Sequence, residues 1–474
     1  MTPPNHDTGE SRRQFVKKAG ALAGLSAAGL SSLAWTFHRD NQSTMPIRIQ
    51  HVDSSFEREP LAHPFGFKGG YLTELWQTVA LMESASGHAT VGLGTQSVLW
   101  ADSSVFAAHT ESGGNALMFA LTERALQIAE GTSFETPIDL IEGLVDELLP
   151  YARQLTGDAA LQKTFVLNAL VPVDHAAWLL YARENGIQDF DAMIPDAYRP
   201  GLAYRHDRVA SIPAFGYEAP LDDIEAAAAA GYYFMKIKIG QPGTQAEMLA
   251  KDQERLTAIH GVLGELRTPY TESGKIPYYL DANGRYASKD TLRRLLDHAD
   301  RIGALEQIVI VEEPFQDDVE GDVSGFPVRI AADESAHTGA ETRRVIEQGY
   351  GAIALKPIAK TLSMTLQMAQ VAVEHDVPCF CADLTVNPIL VDWNKNVAAR
   401  LPPLPGFKTG LMETNGHQNY EHWDRLTSYH PQAGAAWTQT QDGVFRVGDD
   451  FYATSGGIFA PPEHYRNLVR ASGE

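Results

Sequence analysis

Residues 308–315 read Ile-Val-Ile-Val-Glu-Glu-Pro-Phe, an apolar, β-branched run that ends in two carboxylates and a proline. A run this short and this apolar predicts a strand buried on both faces, as in a parallel sheet covered by helices. A carboxylate at the end of such a strand is costly to bury unless a cation or hydrogen bonds compensate it. The same construction recurs on either side, where residues 276–281 (IPYYLD) and 328–333 (VRIAAD) each end in an acid. Successive strands ending in acids can bring three oxygen ligands to one rim, which suits hard, octahedral Mg²⁺. Asp281, Glu312 and Asp333 are therefore the expected metal ligands, one Mg²⁺ per subunit with Mn²⁺ as the alternative. Glu313 competes with Glu312, but neighbouring strand side chains alternate faces, so Glu313 is expected to point away.

Two further strands bring the opposite charge. Residues 232–239 (YYFMKIKI) carry Lys236 and Lys238, whose spacing of two puts both on one face. Residues 352–356 (AIALK) end in Lys356. The interval from Lys238 to Asp281 is 43 residues, and those to Glu312, Asp333 and Lys356 are 31, 21 and 23. The last three fit one strand–helix unit each, and the first implies an insertion.

The pieces KIK at 236–238, DAN at 281–283, VEEP at 311–314, ADES at 332–335 and LKPIAK at 355–360 stand in this order. Together they resemble the enolase superfamily in its muconate-lactonising-enzyme subgroup, over roughly residues 164 to 416. The resemblance implies an α/β fold: a (β/α)8 barrel, the modified TIM barrel, with an α+β N-terminal capping domain completed by the C-terminal tail. On that basis residues 1–45 are a signal and linker, 46–205 the capping domain, 206–427 the barrel, and 428–474 a segment returning to the cap. It further implies abstraction of the proton beside a substrate carboxylate through an enediolate, for which such sites use a lysine or histidine base with Mg²⁺. Lys238 is then one acid/base with Lys236 tuning it, and Lys356 is the second from the opposite side. Positive charge from the metal and a neighbouring lysine is expected to lower a lysine's pKa into a useful range. Lys360 is placed in the turn after its strand.

Two opposed lysines point to a racemase or epimerase of a small carboxylate, an amino-acid or dipeptide derivative among the candidates. A dehydratase or cycloisomerase keeps the same residues and remains the alternative, and an exported, non-catalytic binding protein on the same barrel is the reading from another class. Dipeptide-epimerising relatives hold the substrate ammonium with Asp-x-Asp on strand eight, whereas residues 412–417 here read METNGH with a single acid. Asp383 and Glu413 are candidates for a cationic group and read equally well as satisfied strand-end acids. In relatives a loop of the cap folds over the barrel mouth. The Gly-, Pro- and aromatic-rich residues 58–70 are expected to be that loop, making Phe65, Phe67 and Lys68 substrate-binding candidates by position.

At 474 residues the chain can build two or three domains, and a hydrophobic fraction of 44% is that of a globular protein. The formal net charge of −22 argues against nucleic-acid or anionic-membrane partners. It leaves an anionic small molecule open, because a dication and three lysines reverse the sign locally. A homo-oligomer is expected. Residues 11–18 (SRRQFVKK) resemble a twin-arginine export signal, and the Ala/Gly-rich residues 19–37 follow it. A periplasmic or otherwise extracytoplasmic location follows from that resemblance, with cleavage after Ala34 or retention as an anchor left open. Cys379 and Cys381, at i and i+2 of one strand, are expected to be buried thiols rather than a disulfide.

Elsewhere, helical periodicity marks residues 116–130, 137–155 and 171–185, the last with Asp174 as its N-cap and His175 as a packed or surface residue. The acidic, turn-rich residues 316–325 leave little or no helix after the fourth barrel strand. The tail, including residues 443–447 and 452–459, is expected to return to the cap.

Overall fold

The computed structural model describes residues 46–68, 70–316 and 321–472. The twin-arginine-like segment lies outside the described residues. The cap is a four-stranded antiparallel sheet in the order β3-β2-β1-β4, made of β1 (Ile47–Phe67), β2 (Gly70–Ser84), β3 (Ala89–Gln96) and β4 (Ser133–Phe134). Helices Ser103–Ala129, Pro137–Thr156 and Lys163–Glu184 complete it. The last of these lies so close to β3 that a Cβ on Gly92 would stand 2.0 Å from the Pro172 carbonyl oxygen and 2.2 Å from the Ala176 nitrogen.

Residues 58–70 are not the loop expected of them. β1 continues to Phe67 and pairs with β2, and its prolines and glycine are absorbed by a register shift between Pro60 and Phe65. The hairpin turns at Lys68, whose φ is +48°. Asp174 is also not an N-cap, because its helix begins eight residues before the expected start, at Lys163, and carries Pro172 in its interior. The Asp174 carboxylate lies buried and caps another helix, accepting from the Leu362 nitrogen at 2.6 Å and the Ser363 hydroxyl at 2.5 Å. His175 is packed, with Nδ1 3.0 Å from the Leu93 carbonyl oxygen and its ring stacked on Trp393.

The barrel strands follow in chain order. The first is one strand in two pieces, β5 (Arg208–Ile212) and β6 (Ala214–Phe215), interrupted at Pro213, which has no N–H to give a ladder. Then come β7 (Met235–Lys238), β8 (Tyr278–Asp281), β9 (Ile308–Glu312), β10 (Arg329–Ala332), β11 (Ala352–Leu355), β12 (Cys379–Cys381) and β13 (Gly410–Glu413). All neighbours pair in parallel; β6 takes β7 and β5 takes β13, so the ring closes on the broken strand. Among the described residues no helix separates β9 from β10, as expected. Cys379 and Cys381 are free and buried, and burial pushes the Cys379 thiol up to about 12.

The tail divides its allegiance, which corrects the expectation for residues 443–447. β7 reaches only the β6 half of strand one, leaving one edge of β5 open. β14 (Thr440–Gln441) and β15 (Val444–Arg446) form a hairpin that takes this edge antiparallel to β5. Residues 452–459 and the final helix, Glu463–Ser472, do return to the cap: Ser455 Oγ accepts from the Phe190 nitrogen at 2.9 Å, and His464 bonds Glu57 at 2.9 Å.

Candidate active site

Strand register sets the charged residues at one level. Lys238 pairs laterally with Asp281, and Asp281 with Glu312. Asp333 and Lys356 directly follow the ends of β10 and β11. All lie at the C-terminal rim, where active sites of such barrels are built. β7 is the second strand of eight and β11 the sixth, so Lys238 and Lys356 stand on opposite sides of the ring.

Lys236 is the hub. Its Nζ lies 2.8 Å from Asp281 Oδ2, 3.2 Å from Glu312 Oε2 and 3.1 Å from Glu413 Oε2. Lys238 Nζ donates to Asp281 Oδ2 at 2.5 Å and to Asn283 Oδ1 at 2.7 Å. Lys356 Nζ donates to Asp333 Oδ2 at 2.5 Å. Lys360 sits in the turn after β11, fully buried, holding the Asp333 and Ala336 carbonyl oxygens at 2.5 and 2.9 Å. It braces the strand end. Glu313, at φ +39°, turns away as expected and binds the Asp333 nitrogen at 2.8 Å and the Ser335 hydroxyl at 3.0 Å.

The pocket over this rim has a volume of about 40 Å³ and is roofed by Phe65, Phe67 and Trp100 of the cap. Phe65 thus reaches the site. Lys68 does not line the pocket; its Nζ pairs with Glu334 Oε1 at 2.8 Å and donates to the Trp100 carbonyl at 3.1 Å. Asp383 and Glu413 both line it and both have protein partners. Asp383 Oδ2 accepts from the Asn415 nitrogen at 2.6 Å, and Glu413 Oε1 from Asn415 Nδ2 at 2.8 Å.

Carboxylates govern the electrostatics. Burial alone would lower the Lys236 pKa, but Asp281, Glu312 and Glu413 outweigh it and hold the ammonium well above the ordinary lysine value. Burial likewise opposes, and Asp333 overcomes, at Lys356, which is also raised. The lowering expected from neighbouring positive charge is therefore not a property of the protein alone, because acids surround both ammoniums. Burial pushes Glu312 up to about 7 against the pull of Lys236, with Asp333 adding to the rise. Asp383 is pushed up to about 7 by burial and by Glu413.

The donor set fits a divalent cation. Glu312, Asp333 and Glu334 each offer one oxygen, all within 4.8 Å of one another. Glu312 Oε2, Asp333 Oδ1 and Glu334 Oε2 are buried and accept no hydrogen bond in the protein. Ammoniums lie near two of them, Lys236 3.2 Å from Glu312 Oε2 and Lys360 2.9 Å from Asp333 Oδ1, without making hydrogen bonds to those atoms. Such atoms are expensive to leave unpaired, and a hard oxygen-seeking ion would pair them. Asp281, expected as a ligand beside Glu312 and Asp333, is not in this group of three, where Glu334 stands instead; it lies in the same pocket, with Oδ2 held by both lysines and Oδ1 by the Asn283 nitrogen at 3.0 Å.

Sequence reasoning missed Glu334 and Asn283, although both lie inside quoted motifs. It also missed Ser97, Trp100 and Asn415, which line the pocket. The first two come from the cap end of β3 and the short helix Val98–Ala101, and no local pattern announces that this segment reaches the barrel.

Residues 221–429 match the model of the enolase C-terminal domain-like family. The barrel is enolase-like. Solved structures share the fold across cap and barrel at low identity. A dipeptide epimerase from Enterococcus faecalis V583, complexed with Mg and L-Leu-L-Tyr, is 17% identical with a TM-score of 0.59, covering 86% of this chain and 99% of that one. A mandelate racemase/muconate lactonizing protein from Herpetosiphon aurantiacus is 17% identical, at a TM-score of 0.58 and coverage of 85% and 97%. L-Talarate dehydratase from Polaromonas sp. JS666, complexed with Mg and L-glucarate, is 18% identical, at 0.55 and coverage of 85% and 93%. No curated protein matches the chain.

Proposed function

We propose that this enolase-like protein is a Mg²⁺-dependent racemase or epimerase acting on the carbon next to a small carboxylate. The observation that carries this reading is the placement of Lys238 and Lys356 on opposite sides of one buried, carboxylate-rich pocket. One ammonium and one amine facing each other across a planar enolate remove a proton from one face and return it to the other. Lys236, fixed among three acids, orients Asp281 and Glu312 and does not transfer the proton.

Asp281, Glu312 and Asp333 would hold the metal, and Glu334 is an additional oxygen donor. Once bound, a dication would stabilise the negative charge developing on the substrate carboxylate and offset the acids that hold Lys356 in its protonated form. The roof of Phe65, Phe67 and Trp100 excludes water from the amines.

Metal dependence of stability tests the donor set. Mg²⁺ is expected to stabilise the folded chain through preferential binding, by about 2.7 kcal/mol at a hundredfold excess over Kd, and so to raise the melting temperature. Asp281→Ala should abolish the shift and leave the metal-free fold intact. A melting temperature indifferent to Mg²⁺ and EDTA would overturn this assignment.

A further inference from the structure

Away from the strand-end rim, a groove of about 610 Å³ lies between the cap and the tail. Small-molecule sites run from roughly 300 to 1,000 Å³, so it is large enough to hold a ligand. One wall comes from β2, β3 and the end of helix Lys163–Glu184, the other from residues 454–462 and the final helix. None of its lining residues lines the strand-end pocket.

The floor is apolar. Leu81, Leu179, Ile187 and Phe459 pack against the core yet stay only partly buried. The charge is of one sign. Arg183, Arg466 and Arg470 line the groove and no acid does, in a chain whose formal net charge is −22. Arg466 and Arg470 stand four apart on the final helix, which puts both on one of its faces. The Arg470 side chain makes no hydrogen bond or ion pair among the described residues. Arg466 pairs only with Glu463 of its own helix, at 2.9 Å and largely in solvent. Arg183 is tied down, donating to the Ala89 carbonyl oxygen at 2.9 Å.

A guanidinium stays charged at any ordinary pH and offers a planar fork of donors that matches a carboxylate. Three of them exclude a cation as the ligand. A small inorganic anion would leave the apolar floor wet, so the favoured ligand also brings apolar surface to cover it.

We propose that this groove binds a small anionic amphiphile, an unbranched acyl chain ending in a carboxylate. The chain lies on Leu81, Leu179, Ile187 and Phe459, and Arg466 and Arg470 receive the carboxylate. The site is separate from the proton-transfer site and does not depend on the reaction assigned there.

Calorimetric titration of the Mg²⁺-loaded protein with octanoate, 1-octanol, octyltrimethylammonium and acetate tests this. Octanoate should bind about tenfold or more tighter than each of the others, which lack either its charge or its chain. In the double variant Arg466→Gln, Arg470→Gln the affinity for octanoate should fall to that for octanol. Arg470→Gln alone removes a side chain with no protein partner and gives a smaller fall in the same direction, should the double variant not fold. Octanoate should bind Lys356→Ala as it binds the intact protein, which separates the groove from the strand-end pocket.

Octanol or the ammonium binding as tightly as octanoate would overturn the proposal, as would acetate doing so, which would leave an anion site without a chain. Loss of octanoate binding in Lys356→Ala would place the ligand at the rim and overturn it too. So would no binding at all, or binding indifferent to both arginine variants. Self-association that the arginine substitutions abolish, without octanoate binding, would make the groove an interface between copies and contradict the proposal.

Discussion

At the scale of single residues, the acids and lysines of the rim were legible because strand ends that bury charge announce themselves against apolar runs. Asp281, Glu312, Asp333, Lys236, Lys238 and Lys356 come together in one pocket or its immediate floor. Asp174 was misread for the opposite reason. An acid two residues after a proline looks like a cap, but its partner Leu362 lies 188 residues away, beyond any local pattern. Its neighbour His175 gives a prediction. Burial holds its imidazole down at about 3, against an ordinary 6.5. Between those limits the unfolded chain binds a proton that the folded chain refuses. Stability is therefore full above about pH 6.5 and falls as the pH drops towards 3, by roughly 1.4 kcal/mol per unit from this group. Replacing it by His175→Gln should flatten that part of the acid dependence of urea unfolding. An unchanged slope would show that His175 does not carry it.

Elements were legible where periodicity is long and uninterrupted, and less so where proline and glycine serve packing. Residues 58–70 looked like a loop because their composition is that of one, yet a bulge lets the strand run on and carry Phe65 and Phe67 to the site. Pro172 hid the first turns of its helix in the same way, and it packs on Gly92 and Gly94 of β3. Gly92→Ala would drive a methyl group into the helix backbone. It should destabilise the protein by about 3 kcal/mol or more, while Gly143→Ala, on an open helix face, should be neutral or stabilising by up to about 1 kcal/mol. Chemical unfolding of the pair checks both signs. Equal effects would mean that the sheet–helix approach is not set by Gly92.

For the whole molecule, the strand order and its rim were readable from five motifs at barrel spacing, and the cap's contribution was not. What joins Trp100, Phe65 and Lys68 to the barrel is long-range packing, and so is the hairpin that seals the open edge of β5. A net charge of −22 coexists with a rim where five lysines, Lys68, Lys236, Lys238, Lys356 and Lys360, answer the local acids. The claim on which the account turns is that two of those lysines transfer protons across one plane. Incubation with Mg²⁺ and lactate or N-acetylalanine in ²H₂O, followed by proton NMR, measures it. The intact protein should place deuterium on the carbon next to the carboxylate and interconvert the two configurations. Either Lys238→Ala or Lys356→Ala should stop interconversion, and the double variant should lose exchange altogether. Exchange that persists in the double variant would contradict the account.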